Sequence, residues 1–197
     1  MKIIKSALIF LSIFIFASCW NDLEIEGNFG TAHFNLVDQN NSPQKFPEII
    51  KGKIAIVGYI FTNCPDICPL TTNNMRLIQD ELKKENINNE VEFVSISFDP
   101  EADTPEVLKK FAEIRDLDLN NWTFLTGEKT TTDSLIKEAG VIAVVGDSTI
   151  TKDGKTIYYF VHTDRISLVD GEGNIRKNYP GSKVNIEEVV ADVKKLL

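Results

Sequence analysis

The hydrophobic positions of this chain fall into blocks of different period. Residues 7–16 are apolar except for Ser12. Residues 54–61, Ile-Ala-Ile-Val-Gly-Tyr-Ile-Phe, form a second continuous run. Its length and β-branched content predict a strand buried on both faces, as in a parallel sheet. Residues 91–98 read as another strand. Between the two, Leu70, Met75, Leu77, Ile78 and Leu82 recur at helical spacings with charge between them, which predicts a helix over residues 70–85. Thr104, Pro105 and Glu106 supply an N-cap, a proline at the first helical position and an acid in the first turn, so a second helix runs to about residue 116. Residues 122–125 are a short strand, and residues 132–139 a short helix ended by Gly140. The pattern then changes. Asp153-Gly154 between residues 149–151 and 156–160 is a hairpin signal. Residues 165–170 form a further strand, followed by the turn Gly171-Glu172-Gly173-Asn174. Asn185 caps a last helix, with Glu187 and Glu188 early, Lys194 and Lys195 late, and Val189, Val193 and Leu196 on one apolar face. Parallel βαβ units followed by antiparallel strands predict an α/β domain: a mixed central β-sheet with flanking helices and an inserted β-hairpin.

The first apolar run has a different meaning. Lys2 and Lys5 precede it and Ala17-Ser18-Cys19 follows it. A basic head, an apolar stretch too short for a span of about 20 residues, and small residues at its end predict an export signal over residues 1–18. Phe16-Ala17-Ser18-Cys19 resembles a bacterial lipoprotein signal, with Phe16 where Leu is usual. The resemblance implies that Cys19 becomes the lipid-bearing N-terminus; the alternative is an uncleaved anchor. Both put the domain outside the cytoplasm and tether it to a membrane. Residues 19–32 are expected to be a polar tether and residues 33–197 the globular domain.

The chain has 197 residues, enough for one domain with a full core. Its formal charge is −8, and loss of residues 1–18 lowers Lys+Arg from 21 to 19 against 29 acids, or −10. That excludes nucleic-acid binding through a broad basic face and makes membrane attachment a matter of lipid. Three cysteines are too few for a disulfide scaffold.

Two of those cysteines, Cys64 and Cys68, lie in Phe61-Thr62-Asn63-Cys64-Pro65-Asp66-Ile67-Cys68-Pro69, between the first buried strand and its helix. Ligands in open α/β sheets sit at such strand C-termini. Residues i and i+4 share one face of a helical turn. A helix N-terminus lowers thiol pKa, so thiolates are expected near neutral pH. Two close thiolates are soft donors that select Cu(I) or Zn. A structural disulfide would stabilise little across three intervening residues. Thiol–disulfide exchange remains open, because the spacing marks a redox or metal pair without deciding which. The chain has two histidines. His33 reads as structural or exposed. His162 stands just before the strand at 165–170 and is a candidate third donor if that strand joins the sheet beside the first.

On these residues the chain resembles the SCO/SenC family of copper chaperones, thioredoxin-like proteins of cytochrome c oxidase assembly. The resemblance runs from about Phe34 to the C-terminus. It is carried by Cys64-Pro65-Asp66-Ile67-Cys68-Pro69, by residues 97–105, by residues 122–127, and by Val161-His162-Thr163 leading into residues 167–170. It implies a copper site of Cys64, Cys68 and His162, taking Cu(I) and also accepting Cu(II). The implied acceptor is the binuclear copper site of cytochrome c oxidase subunit II, with a thioredoxin-like reductant for the oxidised pair. The family often has Asp just before the histidine, where this chain has Val161. Two other readings need the cysteines but not the same role: a membrane-tethered thiol–disulfide reductase acting on oxidase cysteines, and a copper or redox sensor. The reductase reading is weakened because no proline occurs in residues 158–169.

Overall fold

The computed structural model describes residues 23–29, 33–64, 67–150 and 156–197. The export signal, Cys19, Pro65, Asp66 and the Asp153-Gly154 turn lie outside the described residues. The strands in chain order are β1 (Gly27–Asn28), β2 (Phe34–Asp38), β3 (Pro43–Phe46), β4 (Ile54–Ile60), β5 (Val91–Ser97), β6 (Trp122–Thr126), β7 (Ala143–Ile150), β8 (Thr156–His162), β9 (Ile166–Val169) and β10 (Asn174–Tyr179). The helices are α1 (Ile67–Lys84), α2 (Pro105–Ile114), α3 (Lys129–Glu138) and α4 (Ile186–Leu196).

Eight strands form one mixed sheet in the order β1-β10-β9-β4-β5-β6-β2-β3, and β7 with β8 makes a separate two-stranded ribbon. The parallel unit is β4-β5-β6. All seven residues of β4 are buried, as its continuous apolar run predicts. Fully burying each of its large side chains stabilises the fold by about 1.5–3 kcal/mol. β9 runs antiparallel beside β4, with Gly58 opposite Ile166 and Ala55 opposite Val169. The segment entering β9 therefore arrives at the same sheet end from which β4 leaves. The expected inserted hairpin is the β7–β8 ribbon, longer than its turn signal implies because pairing extends to Ala143 and His162.

Several expectations need correction. α1 begins at Ile67, three residues before the predicted start, so Cys68 and Pro69 sit in its first turn. Proline is tolerated there because first-turn N–H groups have no helical partner. Met75, Ile78 and Leu82 are fully buried, but Leu70 and Leu77 are 49% and 39% exposed. At about 100° per residue these two leucines fall on the side of the helix away from the core. α3 begins at Lys129, earlier than expected. Part of the expected tether is not free: β1 pairs with β10, and Phe29 is fully buried in the core against Phe46, with ring centroids 4.8 Å apart. β2, β3 and β10 are further strands beyond those that the hydrophobic pattern predicts. The caps hold as predicted. Thr104 Oγ1 accepts from Val107 N, and Asn185 Oδ1 accepts from Glu188 N at 3.0 Å.

Candidate metal centre

The fold joins the three residues that the sequence singled out. Cys64 lies in the turn leaving β4, where its N–H donates to Phe61 O at 3.3 Å. Cys68 lies in the first turn of α1, and its N–H donates to Cys64 Sγ at 3.4 Å. His162 ends β8, and its Nε2 is 3.9 Å from Cys68 Sγ. The two sulfurs and one imidazole nitrogen lie within 4.8 Å of one another. Cys64 is 8% exposed and Cys68 1% exposed, while His162 is partly buried.

Aromatic rings wall the site. The His162 ring packs on Phe98 with centroids 5.0 Å apart and edge-on to Phe61 at 6.0 Å. Phe160 closes against both phenylalanines at 5.0 and 5.2 Å. This shell limits solvent access to the sulfurs.

Protons distribute unevenly between the donors. The Cys68 thiol is pushed far above its ordinary value, first by its hydrogen bond with the Cys64 sulfur and then by burial. This corrects the expectation of two thiolates: the sulfurs compete, and the Cys68 amide serves Cys64. The His162 imidazole is raised above its ordinary value, chiefly by the Cys64 sulfur and also by the Thr163 carbonyl, with burial opposing.

Beneath the cysteine turn lies a carboxylate not singled out from the sequence. Asp103 is fully buried and accepts from Thr62 N at 3.1 Å, Thr62 Oγ1 at 2.5 Å and Ser97 Oγ at 2.6 Å. It ties β5 to the chain two residues before Cys64. Its only local signal is its place before the Thr104 cap, which reads as helix punctuation. Beside it, Asp99 accepts from the Tyr158 hydroxyl of β8 at 2.5 Å, linking the ribbon to the same end of the sheet.

The other sequence candidates lie elsewhere. His33 is surface-exposed, with Nδ1 3.2 Å from Glu48 Oε1. Val161 is 69% exposed and pairs with Val144, so it faces away from the His162 ring. Among the described residues, no helix is long and apolar enough to cross a membrane.

Known proteins share both sequence and fold with this chain. It is 34% identical over 198 residues to the "SCO1 protein homolog" of Bacillus subtilis (strain 168), covering 98% of this chain and 97% of that one. The structure of Bradyrhizobium japonicum ScoI with copper bound matches with a TM-score of 0.70 and 30% identity, over 84% of this chain and 98% of the other. BsSco, a member of the Sco family of cytochrome c oxidase assembly proteins in which a disulfide switch is identified, matches with a TM-score of 0.71 and 30% identity. That match covers 89% of this chain and 97% of BsSco. The fold is the thioredoxin-like one that the resemblance implied. The SCO1/SenC family model matches residues 24–197, from the strand at the sheet edge through the last helix, and the chain belongs to that family.

Proposed function

We propose that this protein binds copper through Cys64, Cys68 and His162 and delivers it to the binuclear copper site of cytochrome c oxidase subunit II. One observation carries the reading: the imidazole of His162 stands 3.9 Å from the Cys68 sulfur, although the residues are 94 apart in sequence. Two thiolates and one imidazole are a soft donor set that suits Cu(I) and tolerates Cu(II). A thiol–disulfide reductase would have no use for that imidazole. The copper-bound relative and the oxidase-assembly relative support the same assignment.

In this reading the reduced pair holds Cu(I) with His162, and the acceptor takes the ion by ligand exchange. Binding releases the Cys68 proton, because thiolate is the ligand form. Oxidation of the pair to a disulfide removes two electrons and two protons to a partner disulfide and abolishes loading, so redox state gates the site. A thioredoxin-like protein would restore the dithiol. Cys19 carries lipid and anchors the domain to a membrane on its extracytoplasmic side; the signal over residues 1–18 supports this.

The test is copper titration of Cys64→Ala, Cys68→Ala and His162→Ala. Each is expected to lose stoichiometric tight binding, and undiminished binding in all three overturns the reading. In a deletion strain, oxidase activity restored by added copper supports delivery. Restoration by a small thiol reductant alone supports the reductase.

A further inference from the structure

His162 belongs to the β7–β8 ribbon, which is not paired with the main sheet. Ribbon pairing by itself therefore leaves the imidazole unregistered against Cys64 and Cys68. A side chain two residues further on supplies a tie. Asp164 Oδ1 accepts from the Thr71 hydroxyl of α1 at 3.1 Å. That hydroxyl also lies 3.1 Å from Ile67 O, and the carboxylate is the stronger acceptor. The same carboxylate accepts from Ser182 N at 3.0 Å and Ser182 Oγ at 2.6 Å. Thr71 is 2% exposed and stands three residues after Cys68, one turn along the same face of α1.

The joint is close-packed around this carboxylate. A Cβ on Gly181 would stand 2.5 Å from Asp164 Oδ1 and 2.8 Å from Thr71 Oγ1, so only glycine admits the approach. Asn74, also on α1, donates to Gly181 O at 2.8 Å and holds the turn from the other side. Thr163, between histidine and aspartate, is fastened to the α3–β7 connection: its N–H donates to Ile142 O at 2.9 Å, and its hydroxyl accepts from Ile142 N at 3.0 Å.

We propose that Asp164 is the positioning residue of the metal centre, setting the His162 imidazole against the Cys68 sulfur by tying the histidine segment to the helix turn that bears the cysteine. A carboxylate suits the task because it accepts several bonds at once and donates none. Asparagine there would aim an amide NH2 at donors.

The inference rests on the copper reading above. The test measures Cu(I) affinity of the reduced, full-length protein by competition with a chromophoric chelator. Asp164→Asn and Thr71→Val are each expected to weaken binding by about 10–100-fold, the usual cost of losing an outer partner of a metal ligand. The Cu(II)–thiolate absorption bands should shift in both variants. The metal-free thermal midpoint should fall in both variants, because each leaves a buried hydrogen-bonding group short of a partner, so affinity and bands are read at a temperature where both variants are fully folded. Wild-type affinity and unshifted bands in both variants overturn the proposal. So does a loss of affinity in fully folded variants whose bands are unshifted, which would make Asp164 a scaffold residue. A wild-type protein that binds no copper overturns the copper reading itself, an outcome visible before any variant is made.

Discussion

Individual side chains here act through what they hold in place. Asp103 is the clearest case outside the sulfurs. Burial pushes its carboxyl above the usual carboxylate value, while hydrogen bonds from Ser97 and Thr62 pull the other way. Asp103→Ala would leave the Thr62 N–H and the Ser97 hydroxyl without their acceptor, a cost of about 2–4 kcal/mol. Urea unfolding of the metal-free protein checks this, and a loss below about 1 kcal/mol would mean that water replaces the carboxylate. Neither Asp103 nor Asp164 could be picked out from the sequence, because an acid near a helix cap or a loop is ordinarily a surface residue. The two histidines differ for the same reason: only the fold puts one of them beside a sulfur.

Elements carry the next set of consequences. β4 and α1 pack so closely that a Cβ on Gly58 would stand 2.4 Å from Met75 Sδ. Gly58→Ala must displace the methionine and is expected to cost about 1–3 kcal/mol by overpacking, read from the urea midpoint. In a Met75→Ala background the further cost of Gly58→Ala should be smaller if the clash is its origin. At the C-terminus, Asp192 of α4 is 2% exposed and accepts from Lys177 Nζ and Lys195 Nζ at 2.6 Å and from Tyr179 Oη at 2.9 Å. Burial alone would raise its carboxyl, but the bonds from Lys177, Lys195 and Tyr179 outweigh it and hold the group below the usual range. A lowered folded value means a stabilising contribution present above the unfolded value of about 3.9 and lost as pH falls through the folded value. Asp192→Asn is therefore expected to be less stable than wild type at pH 7, by about 1–3 kcal/mol, with the gap narrowing below pH 4. Denaturation midpoints at pH 7 and pH 3 test the sign.

For the whole molecule, metal binding and folding are linked. Cu(I) bound only by the folded state, at about 100 times its Kd, is expected to stabilise the reduced protein by about 2.7 kcal/mol. His162→Ala should lose most of that gain, while the oxidised protein should show none; thermal unfolding with and without copper measures both. What the sequence determined by itself was local. A run of buried β-branched residues, helical spacing with caps, and a pair of cysteines four apart all report on neighbours along the chain, and their signals survive without a fold. β3 and β10 carry weak local signals because their residues alternate little and gain stability from pairing partners far away, and β2 is only five residues long; in β10 only Ile175 and Tyr179 are buried. From residues alone, His162 was one candidate among open alternatives, and the family resemblance made it the expected ligand. Tertiary structure decided the convergence itself, because β9 pairs antiparallel with β4 and carries its entry segment back to the cysteine turn. Strand pairing joins residues across about a hundred positions, and no pattern of local burial encodes which distant side chains will meet.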